Sequence, residues 1–405
     1  MKKILTLLLC AGAILPVYSQ KAAVKEASKL AGKPEKLSEA RSLIKQAMSN
    51  PETQNDAQTY YVAGDIEFKA YDNAITTKMI KPNDPSASVD AMGEELINGF
   101  NYFLKALPLD SLPNEKGQIK PKYSKDIINK IKGHANDFFS VGADYFNEQK
   151  YYPQAFDAFI IYGDLPNTVL KGKDGEGYDA LQMATAFFNA GLSAYSGNEV
   201  EASAEAFKKA RLAGYDQPEA CIYEIACWQN IAQKDESRSA EAQEKIMDAA
   251  KAGHEKFGLE KPIFINNMIN SLVSDGNVDE AISELNVLVE ANPENSNLYG
   301  LRGFVYDRAE KDDLSEADYR KAASLPDVDF ETLKNASKKL YRIGTQKLNE
   351  VEGNSPEANA ARQSIKENYF IAAQQIAEKA DSMSPGDSDL QNVLDSIEYS
   401  ITTYF

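Results

Sequence analysis

Few residues of this chain have the type and spacing that catalysis or metal binding requires. The chain has two histidines, His134 and His254, far apart and without cysteine or carboxylate neighbours at ligand spacing. A zinc site gathers several such ligands, so we interpret both as helix-surface residues. The chain contains no glycine-rich phosphate loop, no Gly-x-Ser-x-Gly motif and no Cys–His arrangement. We therefore predict no catalytic residue, no metal and no cofactor, and a protein that is not an enzyme.

Carboxylates are the one reactive group that is abundant, with 61 acidic residues. A pair of them could act as the acid and base of a glycosidase, and the sequence alone leaves this open. The stretch 174–179, Asp-Gly-Glu-Gly-Tyr-Asp, matches only a fragment of a calcium-binding EF-hand loop. A loop between helices is the better interpretation of that stretch.

Cys221 and Cys227 stand six residues apart. On a helix, six residues separate two side chains by about 9 Å along the axis and about 240° around it. A disulfide does not tolerate that geometry. We expect both cysteines to be free, buried and apolar in character.

The N-terminus predicts export. Lys2 and Lys3 precede an apolar run that extends to Val17, and this pattern is typical of a signal peptide over residues 1–19 with cleavage after Ser19. The alternative, lipid attachment at Cys10, resembles the bacterial lipobox but has Leu9 where that motif has a small residue. We expect a periplasmic or otherwise exported protein with no transmembrane segment, since the run is shorter than the roughly 20 residues of a span. The net charge of −17 makes nucleic acid and anionic lipid poor partners.

An internal repeat organises the rest of the chain. Ile269 and Gly303 stand 34 residues apart, and similar small or apolar residues follow each at the same three intervals of 12, 16 and 19. The matching sets are Ala281, Leu285 and Leu288 after Ile269; Ser315, Tyr319 and Ala322 after Gly303; Ser203, Phe207 and Ala210 after Gly191; and, one residue late, Ala155, Phe159 and Tyr162 after Gly142. A fixed period of this length indicates stacked helix pairs, in which a small residue lets a large one approach from the partner helix.

The period and the segment Tyr299-x-x-Arg302-Gly303-x-x-Tyr306 resemble the tetratricopeptide repeat family, which prefers Leu where Arg302 stands. The resemblance implies an all-α, right-handed superhelical solenoid of about eight antiparallel helix pairs plus a C-terminal capping helix. It implies one repeat domain over residues 20–405, with regular repeats at 184–213, 262–293 and 296–326 and the cap at 387–404. The second helices after Gly64 and Gly344 arrive 23 and 17 residues late.

The resemblance also implies a concave groove that binds peptides. Three aromatic pairs, each seven residues apart and so on one helix face, occupy equivalent places: Tyr61 and Phe68, Phe139 and Phe146, Phe188 and Tyr195. Asn266, Asn270 and Phe304 make the later part of this face more polar. The alternative is that the aromatic residues pack between neighbouring repeats. The insertions 81–90 and 108–124 are a second candidate surface, because loops commonly carry function.

These observations favour an exported scaffold that binds a protein or peptide partner through its groove. The alternative is a carbohydrate-binding component of an outer-membrane nutrient-uptake system. That function would favour exposed tryptophan, and Trp228 is the single one, on a helix that we expect to be packed. The sequence predicts neither the partner nor the oligomeric state.

Overall fold

A computed structural model describes residues 20–114, 116–172 and 178–405 of the chain. All regular elements within these ranges are helices, and none is a strand, which confirms the predicted all-α repeat class. The predicted signal peptide 1–19, with Cys10, and most of the acidic stretch 174–179 lie outside the described residues. None of the described helices combines the length and apolar character needed to cross a bilayer.

The chain divides into two compact units, an N-terminal unit that ends at Cys227 and a C-terminal unit that begins at Trp228. The sequence pattern places one repeat domain over residues 20–405 and gives no sign of this division. A single helix, Glu219–Lys234, runs through the boundary, so no break in the helical pattern marks it.

The N-terminal unit consists of successive helices that contact each other across short turns, α3 with α4, α6 with α7 and α8 with α9 among them. They are α1 (Gln20–Leu30), α2 (Leu37–Met48), α3 (Ala57–Ile80), α4 (Val89–Asp110), α5 (Ser124–Gly133), α6 (Ala135–Asn147), α7 (Tyr152–Asp164), α8 (Ala180–Ser196), α9 (Val200–Leu212) and the first part of α10 (Glu219–Lys234). Both cysteines lie on α10, where they are buried as predicted.

The C-terminal unit continues in the same manner. After α10 it contains α11 (Ser239–Phe257), α12 (Pro262–Ser274), α13 (Val278–Ala291), α14 (Ser296–Arg308), α15 (Asp312–Ser324), α16 (Phe330–Asn349), α17 (Pro356–Ile365), a π-helical segment (Lys366–Ile371), α18 (Ala372–Met383) and α19 (Ser388–Tyr404). The pairs α12–α13 and α14–α15 lie within the stretches 262–293 and 296–326, and α19 lies within 387–404.

The glycine–aromatic interval of the sequence pattern is a physical contact, 16 residues long after Gly191 and Gly303 and longer after Gly142 and Gly64. A Cβ atom added to Gly64, Gly142, Gly191 or Gly303 would lie 2.5, 2.9, 2.6 or 3.2 Å from an aromatic ring on the second helix of the same pair. The rings are those of Phe103, Phe159, Phe207 and Tyr319. The 12-residue interval is a hydrogen bond, since the hydroxyls of Ser203 and Ser315 donate to the carbonyls of Gly191 and Gly303 at 2.8 and 2.9 Å.

The delayed second helix after Gly64 has a simple cause. Helices α3 and α4 have 24 and 22 residues, whereas α14 and α15 have 13 each. Many of the extra residues between Gly64 and its second helix therefore lengthen the two helices. The predicted insertion 81–90 forms the turn between these helices and the start of α4.

The delayed second helix after Gly344 differs from the prediction. Gly344 faces Tyr369 and Phe370, which approach a Cβ built on it to 2.7 and 3.1 Å, and not Ala377 as the assumed register requires. Both aromatic residues belong to the π-helical segment, which the 3.6-residue period cannot reveal.

Arg302 also departs from the expected repeat. Its Nε and Nη2 atoms donate to the Asp318 carboxylate at 2.7 and 2.8 Å, and Nη1 donates to Asn286 at 2.9 Å. The guanidinium therefore links α14 to α13 and α15 through polar contacts. The neighbouring residue Leu301 is half-buried and lines a groove.

Candidate functional site

The first helices of three successive pairs, α12, α14 and α16, contact each other in order and form one surface of the C-terminal unit. An open groove of about 530 Å³ runs across them. We call it the amide groove, and its lining residues are Asn266, Asn270, Asn297, Gly300, Leu301, Phe304, Asp329, Phe330, Glu331, Thr332 and Asn335.

The caps of these helices explain their placement. Asn295 accepts a hydrogen bond from the backbone of Leu298 at the start of α14, and Asp329 accepts one from Thr332 at the start of α16. Such side chains satisfy backbone donors that a helix start leaves free. The helices α14 and α16 approach closely because Gly300 has no side chain, and a Cβ atom there would lie 2.5 Å from the Thr332 hydroxyl.

The amide groove brings together the three predicted residues of the later repeats, Asn266, Asn270 and Phe304. Asn270 is exposed, and Asn266 accepts a hydrogen bond from the Asn297 amide at 3.2 Å. Phe304 is half-buried, with the Arg308 guanidinium 5.3 Å from its ring centroid. The groove therefore offers amide donors and acceptors beside two aromatic rings, those of Phe304 and Phe330.

Sequence reasoning missed Asn297, Asn335 and the start of α16. The repeat interval gave a signal for part of the site, because Asn270 and Phe304 stand 34 residues apart at equivalent positions. The repeat interval gave no signal for Asn335. Helix α16 has 20 residues, so it begins farther before Gly344 than the shorter first helices begin before their own glycine.

The predicted aromatic residues of the N-terminal unit have different surroundings. Phe68 is buried, with 2% of its surface exposed, between Phe103 and His134 at ring distances of 5.0 and 4.5 Å. Its assignment as a partner-contacting residue is therefore wrong, because the long helix α4 covers it. Tyr61 stacks on Tyr123 at 4.7 Å and donates its hydroxyl to Asp126 at 2.8 Å.

The other pairs also contact their own chain. Phe139 lies edge-on to Phe159 and Tyr162, both at 5.4 Å. Phe146 lies against Tyr152 at 5.7 Å, and Phe188 stacks on Tyr215 at 4.4 Å with ring planes 9° apart. Phe139, Phe146 and Phe188 are half-buried, whereas Tyr195 is exposed. Packing within the chain accounts for these residues, apart from Tyr195, without a partner.

The segment 111–123 covers Tyr61 because a buried carboxylate holds its end. Asp110 accepts hydrogen bonds from the backbone N–H groups of Lys122, Tyr123 and Ser124 at 2.8–2.9 Å and from the Ser124 hydroxyl at 2.7 Å. Burial acts to raise the pKa of Asp110, but these donors outweigh it and lower the pKa below its ordinary value. These hydrogen bonds thus join the two ends of the predicted insertion 108–124.

One of the two histidines takes part in a polar contact within the chain. His134 is half-buried, and its Nδ1 atom lies 2.9 Å from the Asp137 carboxylate. Within the described part of the chain, no three His, Cys, Asp or Glu side chains are grouped in a way that could hold a metal ion.

Similarity to known proteins is found among solved structures, at low identity and low TM-score. No protein-family model matches the sequence, and no curated protein is similar to it. Among solved structures, a TPR repeats protein from Bacteroides fragilis is 15% identical, with coverage of 66% of this chain and 99% of that one and a TM-score of 0.31. A tetratricopeptide repeat protein from Parabacteroides merdae is 10% identical, with the same coverage and a TM-score of 0.34.

The chain is also similar to yeast Tom70, which is 13% identical over 94% of this chain and 88% of that one, with a TM-score of 0.32. At these identities and scores the similarities carry no argument about function or partner. The tetratricopeptide-like character of the fold rests on the helix pairs and on the glycine–aromatic contacts of the chain itself.

Proposed function

We propose that this tetratricopeptide-like protein is an exported scaffold that binds an extended segment of a partner protein along the amide groove. The observation that carries the proposal is the groove itself, in which α12, α14 and α16 contribute amides and two aromatic rings to a single open surface. The function is one of recognition, without a chemical step.

The chemistry of the groove suits a peptide backbone. An asparagine amide both donates and accepts hydrogen bonds, and an extended peptide presents N–H and C=O groups along its length. Asn270 and Asn335 stand on different helices and could contact such a chain at separate points, while Phe304 offers an apolar surface between them. Small-molecule sites usually enclose most of their ligand, which an open groove does not do.

Export is part of the proposal and is supported by the pattern of residues 1–19 alone. Mass spectrometry of the protein purified from its source would test it. We expect a mature N-terminus at Gln20, and an intact Met1 in a soluble cell extract would contradict export.

The carbohydrate-binding alternative has less support. Trp228 has 1% of its surface exposed and cannot stack on a sugar ring. The amide groove contains Phe304 and Phe330 but no tyrosine or tryptophan.

An affinity capture with three baits tests the proposal. The baits are the protein from Gln20 to Phe405, the groove variant Asn270→Ala/Phe304→Ala, and the control variant Leu314→Ala/Asn392→Ala. Both control side chains are exposed and lie in the same unit but outside the groove. We expect one or more envelope proteins to bind the first and third baits and to bind the groove variant at least about tenfold more weakly, as for a contact near the centre of an interface.

Equal retention on all three baits would place the binding surface elsewhere and contradict the proposal. Far-UV circular dichroism and the fluorescence of Trp228 establish beforehand that each bait is folded. Trp228 is buried, so its emission reports on the packing of the C-terminal unit.

A further inference from the structure

The amide groove does not end at α14. A second depression of about 480 Å³ adjoins it, and Asn297 lines both. We call it the acidic depression, and its lining residues are Pro262, Asn292, Pro293, Glu294, Asn295, Ser296, Asn297 and Asp327.

The charged residues that line this combined surface are all acidic, and the Arg308 guanidinium lies beside the groove, 5.3 Å from the Phe304 ring. Asp329 and Glu331 line the amide groove, and Glu294 and Asp327 line the acidic depression. Neither set of lining residues contains a lysine or an arginine. We infer that the partner segment is basic, an extended peptide that carries at least two lysine or arginine side chains, and this inference rests on the proposed function.

The existing ion pairs leave much of this charge available. No lysine or arginine nitrogen of the described chain lies within 4 Å of a carboxylate oxygen of Asp327 or Asp329, although Asp329 also caps α16. Glu294 has only the Lys321 amine at 3.8 Å, and the Lys334 amine that contacts Glu331 at 2.9 Å also lies 3.6 Å from Asp387.

The carboxylates determine which partner segments are accepted, and the amides provide the contacts to the backbone. Each exposed ion pair contributes little by itself, so the expected selectivity is collective and weakens as salt screens it. An acidic segment would place its carboxylates beside Asp329 and Glu331 and would be rejected. The net charge of the chain is −17, so acidity alone does not distinguish this surface, and the test must separate local from general attraction.

Selection from a displayed library of random 12-residue peptides makes this separation. The library is applied to the protein, to the variant Glu294→Gln/Asp327→Asn/Glu331→Gln, and to the control Glu255→Gln/Glu378→Gln/Asp395→Asn. Both variants change the net charge equally, and the control residues are exposed in the same unit but line neither depression. Asp329 is retained in both because it caps α16.

We expect the selected peptides to contain lysine and arginine at least twice as often as the library does, on the protein and on the control. The charge variant should lose this enrichment. A peptide synthesised from the selection should bind the charge variant about tenfold more weakly and the control within twofold. Its affinity for the protein should fall by a similar factor between 0.05 and 0.5 M salt, where the Debye length shrinks to a few ångströms.

The outcomes also distinguish the two proposals. Neutral or acidic peptides that depend on Asn270 and Phe304 would overturn the basic partner and leave the groove function standing. Basic peptides that bind the charge variant and the control equally would also overturn the basic partner, because the attraction would then come from the net charge of the chain and not from this surface. Peptides that bind the variant Asn270→Ala/Phe304→Ala as tightly as the unmodified protein would overturn the groove function itself. If no peptide is selected and a polysaccharide array binds, both proposals fail in favour of a carbohydrate ligand.

Discussion

The first helices of the two units carry different side chains at one equivalent position, three residues before the small residue that faces the second helix. In the N-terminal unit this position holds Tyr61, Phe139 and Phe188. In the C-terminal unit it holds Asn266 on α12 and Gly300 on α14, whereas on α16 it holds Tyr341. The aromatic rings pack against their own chain, whereas the smaller residues leave an open groove lined by amides.

The comparison indicates that a repeat position lines an open groove only if neighbouring elements leave it uncovered. The corresponding surface of the N-terminal unit is partly filled, by rings that meet each other and by the segment after α4 that covers Tyr61. A smaller depression of about 260 Å³ remains beside Phe139. Four predictions test or sharpen this contrast, and they run from the largest expected effect to the smallest.

Removal of a ring should affect the two units differently. Phe68→Ala empties a buried site in the N-terminal unit and should lower the free energy of unfolding by about 3–5 kcal/mol. Phe304→Ala removes a half-buried ring in the amide groove and should cost less than about 1 kcal/mol, although it weakens partner binding. Urea unfolding followed by far-UV circular dichroism measures both, and equal costs would contradict the contrast.

The pairs α8–α9 and α14–α15 differ in the polarity of their helix contacts. Ala190 and Ala206 are buried in the pair α8–α9, whereas the equivalent positions in α14–α15 hold the ion pair Arg302–Asp318. Arg302→Leu restores the residue that the repeat family prefers but leaves Asp318, with 6% of its surface exposed, without its cation. We expect a loss of about 2–4 kcal/mol, because an uncompensated buried charge is costly.

The double variant Arg302→Leu/Asp318→Leu supplies the control. It removes both charges, and replacement of a buried ion pair by apolar residues is often neutral, so most of the lost stability should return. Trp228 fluorescence during urea unfolding measures the C-terminal unit. A double variant as unstable as the single one would show that packing, and not the stranded carboxylate, sets the cost.

The helix pairs could be predicted from the sequence because their contacts have fixed intervals. Gly191 and Phe207, or Gly303 and Tyr319, are separated by 16 residues and touch across the pair. The interval failed after Gly344, because α16 continues to Asn349 and α17 follows before Phe370 of the π-helical segment lies opposite the glycine.

The candidate site could be predicted only in part. Asn266, Asn270 and Phe304 followed from their repeat positions, but whether a side chain is exposed depends on distant segments. Phe68 and Tyr61 occupy places that the family pattern assigns to a groove, yet α4 and the segment after it cover them. No periodicity encodes such coverage.

Alanine at Gly191 and alanine at Gly303 should differ in their effect on stability, because the neighbouring ring lies closer to Gly191. A Cβ at Gly191 would lie 2.6 Å from the buried Phe207 ring, whereas at Gly303 it would lie 3.2 Å from the Tyr319 ring. Gly191→Ala should therefore cost about 1–3 kcal/mol through overpacking. Gly303→Ala should cost less than about 1 kcal/mol, since the gain in helix propensity offsets a smaller clash. Thermal unfolding of both variants would contradict this ranking if Gly303→Ala were the more damaging.

The smallest expected effect is the release of the segment that covers Tyr61. Asp110→Asn removes the charge that accepts the backbone N–H groups of Lys122, Tyr123 and Ser124, at a cost of about 1–2 kcal/mol. Since 1.4 kcal/mol corresponds to a factor of ten, amide hydrogen exchange in 122–124 should accelerate by about tenfold. Exchange in α14, which belongs to the other unit, serves as the internal control.

The pH dependence of this release has a definite sign. The folded state lowers the pKa of Asp110, so the carboxylate stabilises the segment at every pH above its ordinary pKa of 3.8. That stabilisation is lost as pH falls through the lowered value, where the protonated carboxyl no longer accepts as strongly. Exchange corrected for intrinsic rates should therefore stay constant from pH 7 to 5 in the unmodified protein. In Asp110→Asn it should be faster throughout that range, and the two proteins should converge only in strong acid. If Asp110→Asn also lets a peptide bind beside Tyr61, this part of the N-terminal unit is closed only because its own chain covers it. If the segment opens and no peptide binds there, the aromatic packing itself closes the surface, and the amides of the C-terminal unit are what make a groove.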